Sequence, residues 1–393
     1  MEPFQKLATP EKLMMILTIS VFLPVYLTVP AILAVCGIIL YQHRHYTVSR
    51  WLVNLLPLGF ECFAVLVVPL FYRNYAGFLC GILFVLYVML AVYFNRTSAP
   101  RLFEAVTDLL CFLSVPCIAI AMFQRFVLNQ ERMVALTYNS NFYAFMIELI
   151  IVVCFYKAIT LPQRKWGYLA IAAANAVTLF LTGCRSAWCG LAVGLFALFF
   201  LLKKRSYAQL LAVLTAAAAV AISFDHALLP RYSDFNPTLS NRIYIWKTAL
   251  VDFAHHPLFG RGLLALYQVT GNPVTPHAHS LYLDVLECEG IVGAVILSAY
   301  AVLIVRQLVA AYRSGDSAMA GRSSLVLALA AAICTHGVTD IPLMGAQTGL
   351  LVVLLISVRP QAALEYSVVQ KQRILSRTYL QRFLHAFKKE NVT

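Results

Sequence analysis

The sequence predicts an all-α polytopic membrane protein with about twelve transmembrane helices, and three observations support this prediction. Apolar residues make up 61% of the 393 residues, with a mean hydropathy of +0.78. Charged residues make up only 12%, against about 25% in a typical soluble domain. Apolar runs long enough to span a bilayer recur along the chain. Helices are expected because lipid offers the backbone no hydrogen-bonding partners, and a soluble single domain is excluded.

Residues 1–223 are predicted to form the first nine membrane helices. The first apolar stretch, from Leu13 to Tyr41, carries Pro24 and Pro30 near its middle, so we interpret it as two short helices. No cleavable signal peptide is expected before it. The next seven spans are predicted near 51–71, 78–95, 104–123, 141–156, 167–183, 186–202 and 206–223.

The remaining chain is predicted to contain one large loop, three spans and a tail. Residues 224–280 are polar, contain several Pro and Gly residues, and include a helix-like stretch from Arg242 to His255. Residues 281–358 are expected to hold helices ten to twelve, near 281–305, 323–340 and 343–358. Residues 359–393 are basic, with apolar residues at helical spacing, which is typical of an amphipathic helix on an anionic membrane surface.

The distribution of cations predicts the orientation. With twelve spans, 22 of the 30 Lys and Arg residues fall on the side of the two termini and 8 on the other side. The positive-inside rule therefore places both termini in the cytoplasm and the loop 224–280 outside. The net charge of +13 then reflects membrane orientation, and no nucleic-acid partner is expected.

Cysteine and acidic residues give no sign of a metal or cofactor. None of the ten Cys forms a Cys-x-x-Cys pair or clusters with His at zinc spacing, so we interpret them as small buried hydrophobic residues. Only Glu61 and Glu148 lie well inside apolar runs. We expect neither a metal site nor a cofactor.

Arginine dominates the cations on the predicted outer side, where seven of the eight are Arg. Arginine presents a planar fork that binds phosphate through two hydrogen bonds. Arg185 lies in a tight turn between two spans, where a charge is by default a functional candidate. Pairing with acidic side chains or lipid headgroups, or snorkelling beside Trp188, is the alternative. The outer arginines considered as ligand-binding residues are Arg125, Arg132, Arg185, Arg242 and Arg261.

Histidines occur where the large loop re-enters the membrane and at the outer end of span eleven. His277 and His279 are separated by one residue and could ligate a metal, but no Cys or paired carboxylate accompanies them in the sequence. We therefore favour an acid–base role for one of them, because imidazole titrates near neutral pH. His336 and Asp340 are four apart, which predicts a shared helix face, either supporting a site or pairing with each other.

Several short motifs, in this order and spacing, resemble the O-antigen ligase and polymerase superfamily of bacterial inner membranes. They are the Arg after span seven (Arg185), Arg242-x3-Trp246, and the segment His255-His256-Pro257-Leu258-Phe259-Gly260-Arg261-Gly262. They continue with His279-Ser280-Leu281-Tyr282, Glu289-Gly290-Ile291-Val292-Gly293 and Asp340-Ile341-Pro342-Leu343. The resemblance covers roughly 170–345. The family usually has Asn where Ser280 stands, and His277 competes with His279 for the family's histidine position.

The resemblance implies a glycosyltransferase-C type fold and a metal-free transfer of O-polysaccharide from undecaprenyl pyrophosphate to lipid A–core on the periplasmic face. Arg185 and Arg242 are then expected to bind the pyrophosphate, with His279 as general base and inversion at the anomeric carbon. Membrane lipids are the other expected partners. The remaining residues expected to bind substrate are Arg125, Arg132, Arg261, His277, His336 and Asp340.

Two other functions stay open. An O-antigen polymerase would use the same donor but a second carrier-linked repeat as acceptor. A lipid-linked glycan flippase is less favoured, because transporters show internal repeats and polar residues at the bilayer midplane, whereas the candidate residues here all fall on one side.

Overall fold

A computed structural model describes residues 9–43, 56–97, 100–228, 231–272 and 276–357, and within these ranges it is helical without a β-strand. The α-helices of the described ranges, numbered in chain order, are α1 Thr9–Ser20, α2 Val25–His43, α3 Leu56–Phe71, α4 Tyr75–Thr97, α5 Pro100–Phe126, α6 Ser140–Thr160, α7 Lys165–Thr182, α8 Arg185–Leu201, α9 Arg205–Phe224, α10 Phe235–His255, α11 Ala265–Thr270, α12 Leu281–Tyr312, α13 Ser317–His336 and α14 Ala346–Ser357. Short 3-10 turns lie at Pro162–Arg164, His226–Leu228, Tyr232–Asp234 and Pro342–Met344.

Helix α6 is the centre of the bundle, since 16 of its 21 residues are buried. It packs against α5, α7 and α8, and α8 packs in turn along α13. Small residues allow the α8–α13 approach: a Cβ on Gly194 would lie 2.9 Å from the Cβ of Ala332. Small residues at helix interfaces are typical of bundles in lipid, where close backbone approach stabilises association.

Each predicted span overlaps a helix of the described ranges, and the predicted break in the first apolar stretch falls between α1 and α2. Seven of these helices are long and apolar enough to cross a membrane: α2, α4, α5, α6, α9, α12 and α13. They indicate a multi-pass membrane protein. The total of twelve spans, the domain boundaries and the orientation stay predictions, and the basic tail 359–393 lies outside the described residues.

The loop segment that ends at Gly262 packs directly against the first part of α12, around Gly290. The amides of Arg261 and Gly262 donate to the carbonyls of Glu287 and Cys288, at 3.2 and 2.8 Å. Helix α12 is kinked at Gly290, which has a φ of 63°, and a Cβ there would collide with the backbone of Leu258. Glycine is therefore required at Gly290 both for the backbone conformation and for the close approach. This contact fixes the end of the loop segment onto α12, the helix that follows His279.

Candidate active site

Arginines from four separate segments converge at one end of the bundle. The Nη1 atom of Arg185 lies 3.4 Å from the carbonyl oxygen of Arg231, and its guanidinium lies 5.0 Å from the ring centroid of Phe235. The charges of Arg231 and Arg242 both act on Arg185. Those of Arg231 and Arg185 also act on Arg132. We call Arg132, Arg185, Arg231 and Arg242 the arginine cluster.

Local backbone geometry brings the cluster together. Gly183 ends α7 in the left-handed region, with a φ of 66°, so that α8 begins two residues later at Arg185. A Cβ on Gly183 would lie 2.8 Å from the Cδ atom of Arg231. Glycine at this turn thus permits both the tight reversal and the approach of Arg231. The N-terminus of α8 faces the same region, and no side chain of Cys184 caps it.

Few carboxylates neutralise the positive charge of the arginine cluster. Arg231 forms an ion pair with Asp234 at 2.8 Å, and this arginine lowers the pKa of the Asp234 carboxyl. Within the part of the chain that the structure describes, Arg132, Arg185 and Arg242 form no salt bridge. Several cations in proximity without carboxylate partners are the arrangement expected of an anion-binding site.

A chain of hydrogen bonds connects His279 with this cluster. The Nδ1 atom of His279 lies 3.3 Å from Oδ1 of Asp340. The other oxygen of Asp340 accepts a 2.6 Å hydrogen bond from the side-chain amide of Asn141. The oxygen of that amide accepts from Nη2 of Arg132, also at 2.6 Å. Because Asp340 occupies Nδ1, the Nε2 atom of His279 is the nitrogen available to a substrate.

Backbone contacts hold His279 in place. Its own φ is 47°, in the left-handed region that non-glycine residues rarely adopt. The amide of Ala278 donates to Oδ1 of Asp284 at 2.8 Å, and the amide of Leu281 donates to the carbonyl of Gly337 at 2.7 Å. Strained backbone that is fixed from several sides is common at functional sites.

Asp340 and His277 have strongly perturbed environments. Burial raises the pKa of Asp340, but the hydrogen bond and charge of His279, with His336 and His277, outweigh it, and the pKa lies below its usual value. Burial, together with His279, lowers the pKa of His277 to about 4. Asp340 is therefore ionised and His277 neutral at neutral pH. The Nδ1 atom of His277 accepts the 3.3 Å hydrogen bond from the backbone amide of His279.

The same three side chains provide donor atoms for a metal ion. One ligand atom from each of His277, His279 and Asp340 lies within 4.8 Å of the others. The sequence offered no carboxylate beside the two histidines, and the structure supplies one from 61 residues away. Two imidazoles and a carboxylate are chemically suited to a transition metal. They are equally suited to a hydrogen-bonded acid–base pair.

Other candidate residues lie outside this chain of contacts. Arg261 pairs with Asp252 at 3.0 Å, and its guanidinium lies 5.2 Å from the ring centroid of Tyr72. Arg125 is exposed in the last turn of α5 and donates to the carbonyl of Gln130 in the loop that follows. Within the described residues, no contact joins either arginine to the cluster or to His279. Contact of either arginine with substrate stays a prediction.

His336 does not share a helix face with Asp340 or pair with it. Helix α13 ends at His336, and Asp340 follows in a non-helical segment, so the periodicity on which that prediction depended does not extend to Asp340. His336 is fully buried, and its Nδ1 atom lies 2.6 Å from Oε2 of Glu148, which is also fully buried. The ring of Phe145 packs edge-on against it.

Asn141 and Arg231 were not predicted as site residues from the sequence. Arg231 belonged to the outer arginines, but its position in the cluster depends on the turn at Gly183. Asn141 has no distinguishing sequence signal, because a polar residue at the start of a helix is ordinary. Ser186 and Thr339, whose hydroxyls lie 2.7 Å apart, were also missed, and they join α8 to the segment that carries Asp340.

The fold and site together define a multi-pass helical membrane protein with a cluster of arginines and a carboxylate-paired imidazole at one end. Residues 168–298 match the family model of O-antigen ligase. This match supports placing the chain in the O-antigen ligase superfamily, which implies a glycosyltransferase-like enzyme that acts on lipid-linked polysaccharide. The matched range includes Arg185, Arg242 and His279 but ends before Asp340. A comparison with curated proteins found no match.

Proposed function

We propose that this protein is an O-antigen ligase of the bacterial inner membrane. It transfers O-polysaccharide from undecaprenyl pyrophosphate to the lipid A–core acceptor, with inversion and without a metal. The arginine cluster and His279 face the periplasm, and both termini lie in the cytoplasm. The observation that supports this most directly is the pairing of His279 with Asp340 beside an arginine cluster that has little acidic compensation.

The arginine cluster binds the pyrophosphate of the donor. Cleavage of the bond between the sugar and the pyrophosphate leaves an additional negative charge on the leaving group. Arg185 and Arg242 stabilise that charge in the transition state, where fixed donors contribute most to catalysis. Amides at the N-terminus of α8 add partial positive charge in the same region. Arg132 and Arg231 hold the surrounding segments through Thr182, Asn141 and Asp234.

His279 activates the acceptor hydroxyl. Its Nε2 atom takes the hydroxyl proton while the oxygen attacks the anomeric carbon and the carbon–pyrophosphate bond breaks. Direct displacement inverts the configuration at that carbon. Ionised Asp340 holds the ring through Nδ1 and stabilises the imidazolium that forms, as a carboxylate partner does in hydrolytic triads. His277, which stays neutral, orients the backbone of His279 by accepting its amide hydrogen.

Two experiments test this function. In a deletion strain, a ligase defect leaves full-length polymer on the lipid carrier, whereas core bearing a single repeat unit indicates a polymerase. Purified protein with lipid-linked donor and lipid A–core should transfer polymer equally well in the presence of a chelator. Activity that is lost in chelator and restored by a divalent ion would instead assign His277, His279 and Asp340 to a metal.

A further inference from the structure

A small cavity lies between α10 and α11, in the segment that carries Arg242. Its volume is about 170 Å³, below the range of about 300–1,000 Å³ that encloses drug-sized ligands. It therefore fits a single ring rather than an extended chain. Four lining residues come from α10, at positions i, i+3, i+4 and i+7, and three from α11 and the turn after it. The lining residues are Asn241, Tyr244, Ile245, Thr248, Leu266, Thr270 and Asn272.

The chemistry of the lining favours a neutral ligand with many hydroxyl groups. None of the seven residues is charged, so an anion or a cation would lack a counter-charge. The side-chain amide of Asn241 supplies a donor and an acceptor, whereas the hydroxyls of Thr248 and Thr270 donate to the carbonyls of Tyr244 and Leu266 and offer their oxygens as acceptors. Ile245 and Leu266 are almost fully buried and form an apolar floor, and Tyr244 is 64% exposed, so its ring is accessible for stacking. A sugar ring has the matching surfaces, with hydroxyls at its edge and C–H groups on its faces.

The position of the cavity connects it with the candidate active site. Asn241 is adjacent in sequence to Arg242, and consecutive Cα atoms are about 3.8 Å apart. The cavity and the arginine cluster therefore share α10, with side chains that leave the helix about 100° apart. We propose that this cavity is a glycan subsite that binds one neutral sugar ring of the donor polysaccharide. This inference rests on the proposed function and adds the class of ligand that the large loop recognises.

Side-chain substitutions in the cavity test the subsite. Asn241→Ala and Thr248→Val each remove a polar group, and a net hydrogen bond contributes about 0.5–1.5 kcal/mol. Each should therefore raise the KM for the lipid-linked donor by about threefold to tenfold, without changing kcat or the KM for the acceptor. Asn236→Ala and Thr238→Val are matched controls on the same helix, outside the lining. They should leave the donor KM unchanged.

A second measurement separates this inference from the proposed function. The free repeat-unit oligosaccharide, released from the strain's own polymer, should bind wild-type protein and bind the Asn241→Ala, Thr248→Val double variant at least tenfold more weakly. Retained binding of undecaprenyl pyrophosphate would show that the variant is folded. If wild type transfers glycan while the cavity variants keep the wild-type donor KM and oligosaccharide affinity, the subsite is refuted and the function stands. If wild type transfers nothing, the proposed function fails.

Discussion

The two ends of the helical bundle differ in whether their cations are paired with carboxylates. At one end, Lys157 is fully buried and pairs with Glu104 at 2.6 Å and with Asp108 at 2.8 Å. At the other end, Arg185 and Arg242 form no salt bridge within the described residues. The same helices build both ends, because α5 begins near Glu104 and α6 ends near Lys157, whereas Asn141 lies at the opposite end of α6.

This difference separates a structural group of charges from the proposed binding site. A buried ion pair that is fully compensated contributes little net stability, but removing one partner leaves a buried charge that is strongly destabilising. Lys157 therefore joins α5 to α6. Cations without carboxylates repel one another, and this repulsion is relieved when an anion binds. The arginine cluster is consequently the end at which an anionic substrate is expected.

The largest expected effect is a loss of transfer activity when His279 is substituted. His279→Ala removes the proposed general base and should lower kcat by about 10²–10⁴-fold, with donor binding retained. His226→Ala is the matched control, because His226 is exposed and, among the described residues, its side chain contacts the carbonyl of Ile222 and the ring of Tyr232. Rates of glycan transfer by purified protein provide the measurement. Near-normal transfer by His279→Ala would remove this residue from the mechanism.

Substitution at the opposite end should affect stability instead. Glu104→Gln combined with Asp108→Asn leaves the fully buried Lys157 without a carboxylate partner, and we expect a loss of about 3 kcal/mol in the free energy of unfolding. Unfolding in detergent measures this loss, and adding Lys157→Met should recover part of it, because the buried charge is then removed. A stable but inactive double variant would contradict the distinction between the two ends.

Replacing arginine by lysine sharpens the comparison further. Arg185→Lys keeps the charge but loses the planar fork, so kcat/KM should fall by about 10–100-fold, the equivalent of one charged hydrogen bond. Arg322→Lys provides the control at the other end, where Arg322 lies 3.5 Å from Glu104. It should change transfer little. Equal activity of wild type and Arg185→Lys would mean that a point charge is sufficient at this position.

The smallest expected effect is a pH-dependent stability due to His277. Its pKa is lowered from 6.5 to about 4, because burial and His279 both disfavour the protonated form. The unfolded chain therefore binds more protons as the pH falls below 6.5, and stability is lost over the window from 6.5 to about 4. At pH 6 this loss amounts to about 1 kcal/mol relative to pH 7.5. His277→Gln should lack this part of the acid sensitivity, and an unchanged pH profile would contradict the assignment.

The sequence predicted the helices well because apolar runs and tight turns are local properties. The stretches near Pro24 and Gly183 broke where expected. The partners of the site residues were harder to predict, because they depend on contacts between distant segments. Asp340 pairs with His279, and His336 pairs with Glu148, across 61 and 188 residues. Glu148 gave a signal, as a carboxylate inside an apolar run, but nothing in the sequence indicated that His336 is its partner.

The central claim is that the arginine cluster, and not the opposite end, binds the pyrophosphate of the lipid carrier. Its most direct test is the affinity of purified protein for undecaprenyl pyrophosphate without glycan, compared among Arg185→Gln, Arg242→Gln and the control Arg322→Gln. We predict that the first two variants bind at least tenfold more weakly than wild type, and that Arg322→Gln binds as wild type does. Wild-type affinity in Arg185→Gln and Arg242→Gln, or an equal loss in all three variants, would contradict the account.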